Sequence, residues 1–578
     1  LLVGRCAAQI GRFGLRDIAT TNNSNRRIPK AARAARAQHL VRGIRPLFAI
    51  GLLLIAQANC LAAVPDFTEL ERAGAVIGKI HIKPQNIFDL TDETENRAFF
   101  RWVNRLHIPT LASVIERVLL FKSGDRVSRQ KIDETERLLR SSSTRYDVNI
   151  RPVAYDAGVV DIEVTTRDTW TLNVTGSFSR SGGNNKTSFG IVEQNLWGTG
   201  TSVGYTQTTD LDRKGSEFNL SNTQLFDGWT NLNFLRGRFD DGKRTSVAID
   251  RPFYSLDTRW AARAEWHQTD RIDAIYNAGN IASEYRHQIH SAELSGGWSP
   301  GLVNGWTQRY SAGTLVNDNS YRTAAGRAAP LPLPADHKLR AVFLRMNLIE
   351  DAFIKLKNYS RIERAEYLDL GFNAQLQITL PTLAMGATRS DALFSVTANN
   401  GYRFDANRVL LAGAVVERRI ATTGRPMTQT GFSLKYYAPH AARSLFYASV
   451  AADRITGGGI ADQLMICGQL GLRGYPTRYQ AGEQRVLMSI EQRAFTDWYP
   501  FRLLRVGGEV FFDSGRAWGG PNQNKLNGGL LSDVGIGLRV ALDRTAFANM
   551  LHVDLAAALN RAPGIKPLQL LVKSEFSF

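Results

Sequence analysis

From Thr171 onward the chain alternates apolar and polar positions in short segments, with no helical period. In Val534–Val540, Ile536, Leu538 and Val540 fall on one side, with the glycines and Arg539 on the other. In Glu509–Gly515, Val510 and Phe512 oppose Glu509 and Asp513. At the end of the chain Leu570, Val572, Phe576 and Phe578 share one face, while Lys573 and Glu575 share the other. A period of two with one apolar face predicts a half-buried strand. A long series of such strands, apolar outside and polar inside, suits a transmembrane β-barrel, because closure satisfies every backbone group in lipid. At roughly 25 residues per strand and loop, residues 170–578 hold about sixteen strands. Nine of the ten Trp lie from Trp170 onward, many beside Tyr or Gly at segment ends, as an interfacial girdle requires. No apolar stretch downstream of residue 63 is long enough for a transmembrane helix. A soluble array of β-sandwiches is the competing reading, and it explains less well the lone Cys467 and a chain ending on Phe578.

Ahead of the barrel the period changes. Val76, Ile80 and Ile82 form a strand face. Leu111, Val114, Ile115, Val118 and Leu119 form an amphipathic helical stripe that Thr110 is placed to cap. Gly124-Asp125 breaks the chain, and Ser128 caps a second helix through Ile132, Leu138 and Leu139. Two strands follow, Asp147–Ile150 and Val160–Val164, joined by a turn at Asp156-Ala157-Gly158. The order β-α-α-β-β over residues 76–168 predicts a small sheet covered on one face by two helices. Its edge strand either accepts an incoming strand through main-chain hydrogen bonds or is simply covered.

The net charge of +18 raises the question of nucleic acid. Residues 1–45 carry ten Arg or Lys against Asp17 alone, a surplus of nine and so half the total. Nothing downstream forms a basic run with interleaved aromatics, so a nucleic-acid groove is excluded. The apolar run Leu47–Ala56 is too short to span a bilayer and ends in Cys60-Leu61-Ala62-Ala63. Basic leader, short apolar core and small-residue exit make residues 1–63 a leader with a secretory signal. The leader is longer than a signal needs, and with Leu at position 1 the start reads as over-extended or incomplete. A mitochondrial transit peptide is the weaker alternative, and Gln57-Ala58-Asn59 is a poor lipobox for a lipid anchor at Cys60. Loss of Cys6 and Cys60 with the signal strands Cys467, which leaves no disulfide.

Three patterns mimic catalytic or ligand motifs. Gly297-Trp298-Ser299-Pro300-Gly301 fits G-x-S-x-G but lacks the strand-turn-helix context and reads as a turn. His287 and His290 lack a third metal ligand and read as loop histidines. Gly198–Gly204 is glycine-rich but opens no helix, so it holds no phosphate. No cofactor, metal or enzymatic activity is expected.

Leu472-Arg473-Gly474-Tyr475, followed by Pro476, resembles the [VL]-R-G-[FY] hallmark of the outer-membrane POTRA-plus-barrel superfamily. That superfamily includes BamA, TamA and the two-partner-secretion transporters. Ser489–Arg493 resembles its strand segment with a lumenal Glu, here Glu491. Phe511–Gly515 resembles its F-x-D-x-G segment, here with Asp513 and Gly515. Glu193–Gly200 resembles the segment opening the barrel, and residues 76–168 resemble one POTRA domain. The resemblance implies a loop near 455–482 folded back into the lumen, where Arg473 latches onto Glu491 and Asp513. Parity agrees, because Glu491, Arg493 and Asp513 all face away from the apolar positions beside them. It also implies a bacterial outer-membrane location with the small domain in the periplasm, and Val572, Phe576 and Phe578 as a C-terminal barrel signal. The expected partners are unfolded outer-membrane or exported polypeptides, outer-membrane lipid, and periplasmic or lipoprotein partners. The implied function is insertion or translocation of these clients. A dedicated two-partner-type secretion pore and a passive channel or structural barrel are the alternatives. Room for a single POTRA-like domain sets the chain apart from relatives with several.

Overall fold

A computed structural model describes residues 64–578 except 182, 211–212, 278–279, 389–390, 421–425, 460–461, 467–470, 521–527, 547–548, 561–563 and 577–578. The signal at 1–63 with Cys6 and Cys60, together with Cys467 and Phe578, lies outside the described residues.

The chain enters through helix α1 (Phe67–Arg72), capped by the Asp66 carboxylate. Three strands, β1 (Val76–Gln85), β2 (Arg145–Asp156) and β3 (Val159–Asp168), form a sheet in the order β1-β3-β2. β1 runs parallel and β2 antiparallel to the central β3. Alternation in β3 buries Val160, Ile162 and Val164 completely, and these pack with Val148, Ile150, Ile115, Ile132 and Leu139. Ala157 and Gly158 both sit at positive φ (48° and 81°), the two-residue turn that matches strand twist. In β1 an irregularity between Ile77 and Ile80 shifts the parity. Ile77, not Val76, is therefore the buried residue beside Ile80 and Ile82.

Between β1 and β2 lie three helices where two are predicted: α2 (Ala98–Leu106), α3 (Ala112–Glu116) and α4 (Arg129–Ser141). Ser128 accepts the Lys131 N–H and caps α4. The stripe from Leu111 to Leu119 yields only the short α3, and Thr110 caps nothing. Barrel contacts outcompete the helix there. The Leu111 N–H donates to the Gly198 carbonyl at 3.0 Å. The Thr110 N–H donates to Asp168 at 2.7 Å, and its hydroxyl accepts from Asn195 at 2.9 Å.

The rest of the chain is a closed antiparallel barrel of 20 strands, from Leu172–Ser181 to Leu568–Phe576. The expectation of about sixteen is corrected by the brevity of many connections. Asn304 and Gly305, both at positive φ, alone join the 24-residue strand Asn280–Val303 to the 18-residue strand Trp306–Thr323. The two seam strands are shorter, at 10 and 9 residues. Side-chain parity is that of a membrane barrel. Val510, Ile536 and Leu538 are 53, 60 and 45% exposed on the outside, while Glu509, Asp513 and Arg539 are buried inside. Among the described residues no helix is long and apolar enough to cross a membrane; the strands are the spanning elements. Exposed Trp197, Trp260 and Trp498 lie at or beside the strand connections on the side of the small domain.

Candidate functional site: a lumen entered from both ends

The connection between strands Ser444–Thr456 and Gln484–Phe495 enters the lumen from the side away from the small domain. Its described parts form a small ladder, Leu464–Ile466 against Gln480–Gly482. Leu472 and Tyr475 are wholly buried against Ile466, Tyr479, Ala517, Leu531 and Ala558. The Gly474 N–H donates to Asp533 at 3.0 Å. The Tyr475 hydroxyl donates to the Ser532 carbonyl at 2.8 Å and accepts the Ser532 N–H at 3.1 Å. A Cβ on Gly474 would lie 2.7 Å from that of Asp533, so glycine permits the close approach.

These contacts aim Arg473 at the wall. Its Nε and Nη2 grip both oxygens of Asp513 at 2.7 and 2.9 Å, a bidentate pair. Nη1 reaches Glu509 at 2.9 Å, and Nη2 also reaches Glu491 at 3.0 Å. The guanidinium stacks on Phe511, 3.4 Å from the ring centroid. Behind it, Arg493 pairs with Glu491 at 2.7 Å, while Arg539 joins Glu491 at 3.4 Å and also Glu509. Glu509 and Asp513 have side chains with no solvent exposure. Such charges are held in a low-dielectric site only because their partners are present.

Glu491 and Asp513 thus meet Arg473. Gly515 does not touch it; a Cβ there would meet the Val486 carbonyl at 2.8 Å and the loop's Ile466 at 3.1 Å, so Gly515 makes room for the loop. Val572 lies elsewhere, opposite Arg180 at the seam. Phe576 ends the last strand, and its side chain is outside the described residues. Glu509 and Arg539 stand in the strands quoted for their alternation, and their inward parity is the signal that marks them. Asp554, 3.9 Å from Arg473, has no such mark. Glu509, His552 and Asp554 bring three ligand-type atoms close together, and Arg473 and Arg539 meet the carboxylate charge there.

A second insertion, unforeseen in the sequence, comes from the small-domain side. Strands Phe353–Lys357 and Ala365–Asp369 pair as a hairpin between two barrel strands. The Glu366 carboxylate accepts the N–H groups of Tyr359, Ser360 and Arg361, shaping the tip. Tyr359 and Ile362 are buried against Val409, Tyr437, Leu445, Phe495 and Met550. Arg493 donates to the Tyr359 carbonyl at 3.0 Å. The base of the hairpin meets the small domain, where Lys355 pairs with Glu136 at 2.7 Å and Arg364 donates to the Arg145 carbonyl at 3.1 Å. A further tie, Arg544 to Glu95 at 2.6 Å, is buried at the junction. Beside it, desolvation pushes His107 down to about 4 and Asp168 up to about 6, while the Thr110 N–H favours the Asp168 carboxylate.

Two of the three decoy motifs lie in a wall strand, while Gly198 and Gly200 sit in the connection before strand Thr201–Thr209. Gly297–Gly301 is not a turn: it lies within the strand Asn280–Val303 at an irregularity, where the Ser299 hydroxyl accepts the Gly301 N–H. His287 and His290 are strand residues, not loop residues. His287 is buried, with Nδ1 2.7 Å from Asp273 and Nε2 2.9 Å from Asn319.

Fold and site together define a membrane-spanning β-barrel whose lumen is entered by its own chain from both ends, with a small α/β domain at one rim. The chain is similar to the solved structure of BamA from Haemophilus ducreyi lacking POTRA domains 1–3, at 14% identity and a TM-score of 0.37 over 86% of this chain and 84% of that one. It is also similar to CdiB from Escherichia coli (13% identity, TM-score 0.46, 87% of this chain and 76% of that one) and to CdiB from Acinetobacter baumannii (12%, 0.41, 86% and 73%). No family model and no curated protein matches the chain.

Proposed function

We propose that the protein is an outer-membrane factor that inserts or translocates unfolded polypeptides, with the small domain on the periplasmic side as their first contact. The observation that carries this reading is the buried grip of Arg473 on Asp513, Glu509 and Glu491, which fixes a loop of the chain against the lumen wall. The first and last strands close that wall, with Val572 opposite Arg180. We place the entry of clients at this seam, which opens sideways by breaking main-chain hydrogen bonds. A client strand then takes up the freed edges by main-chain pairing. Within this mechanism Arg473 holds the loop against the wall while the seam works. The energy comes from client folding and burial, with no enzymatic step and no cofactor. The two insertions into the lumen weigh against a passive channel.

A disulfide across the seam tests the proposal. In cells depleted of the wild-type chain, Arg180→Cys/Val572→Cys is compared under oxidising and reducing conditions by proteomics of the outer-membrane and exported fractions. Loss of several barrel proteins on oxidation and their return on reduction supports insertion, while loss of one exported protein supports a dedicated pore. Unchanged fractions with the disulfide formed overturn lateral opening.

A further inference from the structure

Helix α2 divides its surface into three. Phe100 and Val103 are buried with Ile87 and Phe88 against Trp170 and Leu503. Arg97, Arg101 and Arg105, spaced by four, form an exposed basic strip. Phe99, Trp102 and Leu106 form a separate apolar strip, 53, 57 and 51% exposed, which Ile108 and Leu111 extend beyond the helix. A water-soluble domain does not leave so contiguous an apolar strip open without a partner.

Its position on the barrel identifies the partner. The Leu111 N–H bonds to Gly198, beside the exposed Trp197. Arg502 donates to Thr94 at 2.7 Å, beside the exposed Trp498 and Phe501. Arg544 holds Glu95. α2 is therefore pinned at the rim between two strand connections that themselves expose Trp197, Trp498 and Phe501. Exposed aromatic side chains at the rim of a membrane barrel mark the interfacial zone, and α2 carries its apolar and basic strips at that same rim.

We propose that α2 is an interfacial anchor. Phe99, Trp102, Leu106, Ile108 and Leu111 sink into the headgroup boundary of the phospholipid leaflet on the small-domain side, and the three arginines meet lipid phosphates. The anchor holds the small domain against the bilayer at the barrel's foot. This does not depend on what the barrel transports.

The test uses the full chain reconstituted in vesicles of phosphatidylcholine and phosphatidylglycerol, with Cys6, Cys60 and Cys467 replaced by Ser. An environment-sensitive fluorophore is attached at Trp102→Cys, at Ile108→Cys or, as a control, at the exposed Glu93→Cys. The expected result is blue-shifted emission at 102 and 108 that a lipid-borne nitroxide quenches and aqueous iodide does not, with the reverse at 93. The 108 label gives the reading independently should Trp102→Cys disturb α2. Quenching by iodide at 102 and 108 would overturn the proposal. So would shielding from both quenchers, which would mean that protein, either a second copy or a client, covers the strip.

Discussion

Arg493 donates to the backbone carbonyl of Tyr359 at 3.0 Å while its guanidinium pairs with Glu491 at 2.7 Å. That one side chain joins the tip of the hairpin from the small-domain side to the carboxylate that receives Arg473 from the opposite side. The two insertions share a buried ionic network, and the hairpin continues it to the small domain through Lys355 and Glu136.

Arg473→Ala takes from Asp513 the cation that grips it and from Glu509 one of its two, a loss of about 3–5 kcal/mol for a buried network broken on one side. The barrel still assembles, because its ladders do not involve this residue. The loop becomes sensitive to externally added protease, and client handling falls. Arg473→Lys restores little, since an ammonium cannot offer the two-pronged donor set that Asp513 accepts. Full activity and an intact loop in the Ala variant would remove the latch from the mechanism.

Gly474→Ala acts by volume alone. The new methyl meets the Asp533 Cβ at 2.7 Å and the Ala558 nitrogen at 3.2 Å, neither of which lies at the end of a flexible chain. A cost of about 1–3 kcal/mol is expected. Loop proteolysis should resemble that of Arg473→Ala, though weaker, with the ion-pair residues untouched.

Replacing residues 353–369 by a short Gly-Ser link removes Tyr359 and Ile362 from the lumen. Ion conductance in planar bilayers is expected to rise several-fold over the wild-type chain. An unchanged conductance would assign closure to the Arg473 loop alone.

Several of these residues were legible because strand parity is unambiguous. Alternation alone placed Glu509, Asp513 and Arg539 inside and Ile536 outside, and the motif at Leu472–Tyr475 supplied Arg473. The convergence of Arg539 and Asp554 on the same site was not legible, since it depends on register between strands. The Phe353–Asp369 hairpin alternates as wall strands do, so nothing in its pattern distinguishes an insertion into the lumen. α2 is not legible because its buried pair, Phe100 and Val103, is flanked by exposed apolar residues, which blurs the stripe a soluble helix would show. Thr110 misled because a residue suited to capping was taken up by Asp168, 58 positions away.

Glu163 gives the small domain an acid limit. Lys83 and Arg151 bond to its carboxylate and hold it down at about 2, against an ordinary value of 4.5. A depressed carboxylate adds stability above its unfolded pKa, and that stability is lost as the pH falls from about 4.5 towards 2. Hydrogen exchange of β3 amides in the full chain, compared at matched pH, should show Glu163→Gln less protected than wild type near neutrality. The difference should vanish at the acid end; a constant difference would exclude the carboxylate as its cause.

The unequal strands have a consequence for the lipid around them. A strand tilted in a barrel needs about 9–11 residues to cross the hydrocarbon. Asn373–Pro381, at 9 residues, has none to spare, whereas Asn280–Val303, at 24, has more than twice that length. The bilayer therefore meets a wall of uneven height. Where the wall is short, acyl chains must shorten or splay to match it, an elastic cost of fractions of a kcal/mol for each ångström of mismatch.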